Sequence, residues 1–250
     1  MTVLAVLATP PRDGIVLETL PATAPVSAAE AAALYEAALK DTFRAVEESG
    51  GDLLVNYRAA EDLPADAGID DAEAALRAVA SDVLQDPGSA RFEPQAGSTY
   101  AARVGNTVTH LLREEPVRTA AALPGTAPLL GRALVDTAAM KLRSNQVVLG
   151  HGGEGRVYYA GFSEPIDFED AYEPPAIGTL ARRARDAGHA VEFVETLPTI
   201  ETAAGLADLV AVIEARRTAD RVVPDYTAAT IDDLGLRTVA GADGIELDRE

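Results

Sequence analysis

The chain has 250 residues, 48% of them hydrophobic, and a net charge of −19, which fits one large α/β domain or two small ones and excludes a disordered protein. Cysteine is absent, so disulfides and thiolate metal sites are excluded, and the acidic balance argues against nucleic-acid binding, which needs a basic surface. No apolar run approaches the ~20 residues of a membrane span, and the first residues lack the basic region of a signal peptide. We therefore expect a cytoplasmic protein.

The cations are almost all arginines, since Lys40 and Lys141 are the only lysines. One interpretation is an ordinary acidic cytosolic protein. The other is a halophilic protein adapted to molar salt, where a Debye length of ~3 Å weakens the repulsion between surface carboxylates. Short carboxylates also hold water where long lysine stems would expose apolar surface. The composition favours the halophilic interpretation.

Strands and helices are predicted to alternate along the chain. Short apolar runs predict strands at 3–8, 52–57, 91–95, 117–123, 146–149, 157–162 and 190–197. Helical spacing of apolar residues predicts helices at about 27–48, 71–84, 100–112, 129–142, 176–187 and 203–216, the first opened by a capping box. This alternation indicates an α/β fold with one mostly parallel, mixed sheet and helices on both faces.

The last part of the chain has a different pattern. Residues 222–250 contain one predicted helical turn at 231–234 and two short strands at 236–239 and 244–247, which flank Gly241 to Gly244. We divide the chain into a domain of residues 1–217 and a C-terminal extension of residues 218–250, to which the sequence assigns no role.

A glycine-rich stretch, Gly-His-Gly-Gly-Glu-Gly-Arg-Val-Tyr-Tyr-Ala-Gly-Phe at 150–162, carries a family resemblance. It resembles the G-P-A-x-D-G-G-Y-Y-L-x-G-L signature of the "selenodomain-associated transferase 1" group, which is close to the molybdenum-cofactor and 2-phospho-lactate guanylyltransferases. Weaker motifs follow the same order over about residues 1–215. The resemblance implies a glycosyltransferase A-like, nucleotide-diphospho-sugar transferase fold, and transfer of a sugar or nucleotidyl group from an activated donor.

The loop after the first strand resembles the family's P-x-x-G-x-V-K-T-R-L. The resemblance implies that the backbone around Gly14 and nearby cations cradle nucleotide phosphates, because N–H groups and cations both favour anions. The family's Lys is replaced by Leu17 and its Arg by Thr19, which leaves Arg12 as the nearby cation. The loop is therefore either a phosphate site or a plain turn.

The segment from Gln95 to Arg103 resembles Q-G-x-G-D-L-G-x-R, with Thr99 in place of the Asp. The planar fork of Arg103 suits a phosphate or an acceptor carboxylate; the alternative is a salt bridge on the helix surface. On the first long helix, Asp41 matches a family Asp. It either lines the site or is a solvated helix carboxylate.

The positions that the family uses for a divalent metal are largely substituted. The resemblance places a metal-binding Asp in the loop at 125–128, because Mg²⁺ prefers hard oxygen ligands and neutralises the leaving diphosphate. Thr126 and Ala127 supply no carboxylate. The family's final motif, which also carries metal-binding acidic residues, falls at 197–206 in this chain. Thr199 stands at its first acidic position and Glu201 at its second. We expect a weak or lost Mg²⁺ or Mn²⁺ site and assign no metal ligand.

The glycine-rich stretch keeps a carboxylate and gains a cation. The family's D-G-G becomes Glu154, Gly155 and Arg156. Arg156 either replaces the lost phosphate-binding cations or pairs with Glu154 in a solvated loop. His151 replaces a proline and is either a surface histidine or an acid–base group. His110, His151 and His189 lack the spacing of a zinc site.

These observations leave two hypotheses, a transferase with a weakened site or a catalytically inactive relative that serves as a binding or regulatory subunit. The ligand we expect is a nucleotide or nucleotide sugar, whereas the second hypothesis requires only that the fold is kept. Ligands of open α/β sheets bind at the carboxyl ends of strands, so we expect the loops at 10–14, 125–128 and 150–156 to converge at one edge. The predicted catalytic residues are Glu154 and Glu201, and the predicted ligand-binding residues are Arg12, Gly14, Arg103, Gly155 and Arg156.

Overall fold

The computed structural model describes residues 2–241 and 244–249. The strands are β1 (Thr2–Ala8), β2 (Asp52–Tyr57), β3 (Arg91–Pro94), β4 (Thr119–Leu123), β5 (Val147–His151), β6 (Val157–Phe162), β7 (Val191–Phe193), β8 (Leu236–Gly241) and β9 (Gly244–Arg249). The helices are α1 (Ala28–Glu47), α2 (Ala72–Ser81), α3 (Tyr100–Glu114), α4 (Arg132–Lys141), α5 (Ala176–Asp186), α6 (Ala203–Thr218) and α7 (Asp225–Asp233). Among these helices none is long and apolar enough to cross a membrane.

Seven strands form one sheet in the order β3-β2-β1-β4-β6-β5-β7. β6 runs antiparallel to both of its neighbours, β4 and β5. The other neighbouring pairs are parallel. The mostly parallel, mixed sheet predicted from the alternation is confirmed, and β1, β2, β4 and β5 are inner strands as expected.

Helices cover both faces of the sheet, which explains the unbroken apolar run of β1. Leu4 and Val6 point to a core shared with α1, α2, α4 and α6. Leu7 points to the opposite face, where it packs with residues of α3 and α5. Successive side chains of a strand alternate between faces, so a central strand with helices on both sides must be apolar at every position.

The first helix begins where the sequence indicates. The Ser27 hydroxyl accepts a hydrogen bond from the Glu30 N–H (3.2 Å), and the Glu30 carboxylate accepts one from the Ser27 N–H (2.7 Å). A bond from Arg249 of β9 is the largest cause that lowers the pKa of Glu30 to about 2. The start of α1 is thus tied to the C-terminal extension.

The last strand of the large sheet is shorter than predicted. β7 ends at Phe193, whereas the apolar pattern predicted a strand to residue 197. Residues 194–202 leave the sheet and cross the ends of β5 and β4. The Leu197 N–H donates to the His151 carbonyl (3.3 Å), and the Ile200 N–H donates to the Thr126 carbonyl (3.0 Å). The apolar residues of this segment are buried against loops instead of a neighbouring strand.

The C-terminal extension has more helix than its sequence indicated. The predicted turn at 231–234 is the end of α7, which packs against α1. β8 and β9 pair antiparallel and pack against α6, as a second, two-stranded sheet. The predicted turn at Gly241 to Gly244 lies in part outside the described residues.

The buried carboxylate of Asp41 joins the extension to α1. Asp41 is 7% exposed and accepts hydrogen bonds from the Tyr226 N–H (3.1 Å), the Thr227 N–H (2.8 Å) and the Thr227 hydroxyl (2.6 Å). The solvated helix carboxylate considered from the sequence is therefore wrong for Asp41. It satisfies backbone donors in the first turn of α7, which no other residue of that helix can reach.

Candidate functional site

Three loops meet at one edge of the large sheet, which we call the carboxyl edge. β1, β4 and β5 run in the same direction, because β6 is antiparallel to both β4 and β5. Their carboxyl ends therefore lie at the same edge and are followed by the loops at 9–19, 124–131 and 152–156. This is the expected arrangement, and the crossing segment at 194–202 adds a fourth element to it.

The crossing segment is held tightly against the two neighbouring loops. Besides its hydrogen bonds to Thr126 and His151, it packs Thr199 against Gly152 so closely that an added Cβ there would lie 2.8 Å from the Thr199 methyl carbon. The Thr202 hydroxyl accepts from the Gly205 N–H (3.1 Å) and begins α6. Glu201 is therefore fixed just before a helix N-terminus, between the ends of β4 and β5.

Glu201 is a half-buried carboxylate at this edge. Burial raises its pKa above the usual value of 4.5, and the nearby Glu154 adds to that rise. Arg156 and the hydroxyls of Thr199 and Thr126 act in the opposite direction. Glu201, Glu154, Arg156, Thr126 and Thr199 form what we call the Glu201 cluster. A shifted pKa at a strand edge is typical of functional carboxylates.

Arg156 forms an ion pair with one carboxylate of the cluster and acts on the other through its charge. Its Nε is 3.5 Å from a carboxylate oxygen of Glu154. That nitrogen is buried and has no hydrogen bond to any described residue, while its charge also acts on Glu201. Glu154 has a left-handed backbone (φ 57°) and is followed by Gly155 (φ 73°). Gly155 packs against Pro175, which would lie 2.8 Å from an added Cβ.

Three tyrosines surround the cluster. The Tyr35 hydroxyl accepts from the Thr9 N–H (3.2 Å), and burial, with a contribution from Glu201, raises its pKa to about 12. Tyr100 and Tyr172 pack edge to face, with ring centroids 5.0 Å apart. Burial raises the pKa of both hydroxyls, and Glu201 contributes to that of Tyr100. The three tyrosines are far apart in the sequence, and no pattern in it predicts that they lie near one another.

The loop after β1 reaches the same edge without joining the cluster. Arg12 and Gly14 are exposed, and the Ile15 N–H donates to the Arg12 carbonyl (3.1 Å) in a turn that Gly14 continues with φ 69°. Within residues 2–241 and 244–249, the Arg12 side chain has no hydrogen bond or ion pair. Leu17, in the family's Lys position, is half-buried with φ 49°.

Arg103 is a half-buried residue in the first turn of α3, apart from the Glu201 cluster. It makes no hydrogen bond or ion pair through its side chain with any residue the structure describes, so the helix-surface salt bridge considered from the sequence is not formed. Burial is the largest cause that lowers the pKa of Arg103, and the like charge of Arg58 lowers it further. Nothing in the sequence pattern singles out Arg58.

The residues of the Glu201 cluster do not match the ligands that a divalent metal requires. Mg²⁺ takes near-octahedral oxygen ligands. Ala127 is 4% exposed and belongs to the apolar core, and the Thr126 hydroxyl is buried without a hydrogen bond of normal geometry. The two carboxylates are already faced by the guanidinium of Arg156. In the described part of the chain no three His, Cys, Asp or Glu side chains come together as metal ligands.

Comparison with known proteins supports the fold. No protein-family model matches the sequence, and no curated protein matches it. A crystal structure from Desulfovibrio desulfuricans G20, assigned as a nucleotide-diphospho-sugar transferase, superimposes with a TM-score of 0.70 at 16% identity over 93% of this chain and 95% of that one. The fold is that of the nucleotide-diphospho-sugar transferases. A cytidylyltransferase from Leptospira borgpetersenii has a TM-score of 0.50 at 8% identity, over 93% of both chains.

Proposed function

We propose that this protein binds a nucleotide or nucleotide sugar at the carboxyl edge and is a glycosyl- or nucleotidyltransferase-like protein whose donor site depends on Arg156 instead of a tightly bound metal. The observation that carries the proposal is Arg156 in the loop after β5, where its Nε lies 3.5 Å from Glu154 and its charge acts on the half-buried Glu201. Ligands of open α/β sheets bind at this edge. The fold shared with the D. desulfuricans protein supports the same ligand class.

The chemistry of the cluster follows from its charges. A diphosphate would meet the partly exposed guanidinium of Arg156 and the backbone N–H groups of the glycine-rich loop, both of which favour anions. Glu201, whose pKa is raised by burial, is suited to accept a proton from an acceptor hydroxyl. Glu154 would then compete with the ligand for Arg156, so we expect weak binding and slow transfer.

The second candidate is a catalytically inactive binding or regulatory subunit with the same fold. The observation that favours it is the loop after β4, where Thr126 and the buried Ala127 offer no carboxylate for a metal. The two candidates share the fold and differ in whether a group is transferred.

Titration calorimetry in molar KCl tests the proposal. We expect nucleoside diphosphates and nucleotide sugars to bind with the same affinity with and without Mn²⁺. Arg156→Gln should weaken binding about tenfold or more, because it removes a charge-assisted hydrogen bond. Arg143→Gln, which changes an exposed arginine next to the amino ends of the strands, is the matched control and should bind like the unmodified protein.

Two results would contradict the proposal. Micromolar binding that requires Mn²⁺ would show a working metal site, and unchanged affinity in Arg156→Gln would place the ligand elsewhere. Release of nucleotide from a bound nucleotide sugar, followed by chromatography, separates the two candidates, because only a transferase consumes the donor.

A further inference from the structure

Two arginines lie at the carboxyl edge, close enough for the charge of Arg58 to lower the pKa of Arg103. Arg58 directly follows β2, where its N–H donates to the carbonyl of Ala8, the last residue of β1 (2.9 Å). Arg103 lies in the first turn of α3, where its N–H donates to the Thr99 carbonyl (2.9 Å). Both are half-buried. Both arginines therefore belong to the region beside the ends of β1 and β2, where the loop between β3 and α3 also lies.

The loop between β3 and α3 is built to bring the two arginines together. The Gln95 side chain is 9% exposed and donates to the Asn56 carbonyl (2.8 Å), which ties this loop to the end of β2. Gly97 has φ 136°, and an added Cβ would lie 2.9 Å from the Arg103 N–H nitrogen. The loop thus presses directly on the turn that carries Arg103, and only glycine fits there.

Neither guanidinium is neutralised by a protein partner. The Nε atoms of both Arg58 and Arg103 are buried without a hydrogen bond among the described residues. One terminal amino group of Arg58 donates to the Asp62 carbonyl (2.6 Å). The side chain of Arg103 has no such bond; the exposed carboxylate of Asp62 and the hydroxyl of Tyr100 are the groups that act on its charge favourably.

This arrangement is costly for the protein alone, because buried donors and like charges both raise the free energy of the folded state. The chain has 40 acidic residues against 21 lysines and arginines, so acidic partners for two arginines are plentiful. An oxyanion between the two guanidinium forks would satisfy the free Nε donors and remove the repulsion, since arginine binds planar oxyanions through two parallel hydrogen bonds.

We propose that Arg58 and Arg103 form an oxyanion site that takes a phosphate monoester or a carboxylate. Assigning this anion to the acceptor rests on the proposed function, whereas the anion site itself does not. Tyr100 is near both regions, because the charges of Arg103 and of Glu201 both act on its hydroxyl. An acceptor held by its anionic group at the arginines would therefore extend toward Glu201.

Thermal unfolding and NMR test the site with simple anions. The full chain is measured in potassium phosphate, in potassium acetate and in KCl at equal ionic strength, so that screening is the same. We expect phosphate or acetate to raise the melting temperature above that in KCl and to shift the Nε–H signals of Arg58 and Arg103. Arg58→Gln and Arg103→Gln should each weaken the effect about tenfold or more, and Arg113→Gln, at the exposed far end of α3, should not.

The outcomes separate this site from the proposed nucleotide site. An anion effect lost in Arg103→Gln but kept in Arg156→Gln supports the site even if no nucleotide binds. A stronger effect of phosphate than of acetate identifies a phosphorylated acceptor, and the reverse identifies a carboxylate. The proposal is overturned if neither anion differs from KCl, or if both arginine variants respond like the unmodified protein. Arg58→Lys keeps the positive charge but not the planar guanidinium fork. It shows whether the anion effect is lost in Arg58→Gln because the variant folds poorly.

Discussion

Glu201 is a half-buried carboxylate whose environment works against its charge. Its pKa is raised chiefly by burial, despite the nearby Arg156 and two hydroxyls. A raised pKa in the folded state means that the folded protein binds the proton more tightly than the unfolded chain. Stability from this group is therefore fully present below pH 4.5 and is lost as the pH rises through the folded pKa. Such a cost is typical of residues kept for function.

We expect Glu201→Gln to stabilise the protein at pH 7 by about 0.5–2 kcal/mol, because the neutral amide removes the buried charge. The advantage should shrink toward pH 4, where the unmodified carboxyl is protonated. Urea unfolding at several pH values measures it. Glu195→Gln, on the same crossing segment but exposed, should show no comparable gain. A destabilised Glu201→Gln at pH 7 would mean that the Arg156 contact outweighs burial.

At the scale of elements, α7 depends on a residue from a distant helix. Pro224 precedes α7 and its side chain caps nothing, so the first-turn donors at Tyr226 and Thr227 are satisfied by Asp41 of α1. The desolvation that raises the pKa of Asp41 is opposed by these hydrogen bonds. This carboxylate thus adds a buried polar link between α1 and α7 to the apolar packing of the two helices.

Asp41→Ala should lower the free energy of unfolding by about 2–3 kcal/mol, because it leaves the N–H groups of Tyr226 and Thr227 without an acceptor and removes a helix cap. Thr227→Val, which removes one hydroxyl and keeps the backbone bonds, should cost about 1 kcal/mol. Hydrogen exchange followed by mass spectrometry should show faster exchange at residues 225–233 in Asp41→Ala. Unchanged protection there would show that apolar packing alone holds α7.

At the scale of the whole molecule, the net charge of −19 opposes the compact state. The ion pairs that the structure describes lie mostly at exposed or half-exposed positions, for example Arg217 with Asp232 and Arg237 with Asp248. Exposed pairs contribute little, so screening them costs little. Screening the excess of carboxylates stabilises more, which is the physical basis for a halophilic protein.

We expect the melting temperature to rise by roughly 5 °C or more between 0.1 and 2 M KCl, which corresponds to about 2 kcal/mol for a chain of this size. Sucrose at equal osmolality, which screens no charge, is the control and should give a smaller increase. A melting temperature that stays flat in KCl would contradict the halophilic interpretation.

Local patterns in the sequence determined most of the elements. The apolar run of β1, the capping box at Ser27 and the alternation of strands and helices predicted the mostly parallel sheet, because periodicity and caps depend on neighbours in the chain. The order of glycine-rich motifs also predicted which loops would share the carboxyl edge. The end of β7 was predicted wrongly, because an apolar residue gives the same sequence pattern whether it is buried in a strand or in a loop.

Only the tertiary structure decided which charged groups meet. Asp41 binds Thr227, 186 positions away, Glu201 lies beside Thr126 and Arg156, and the charge of Arg58 acts on Arg103. None of these pairs shares a helix or a strand, so no periodicity links them. Their pKa values depend on burial and on neighbours brought by chain reversal, which a single sequence does not encode locally. The sequence by itself determined the scaffold and the edge, and the packing of loops upon that edge decided its chemistry.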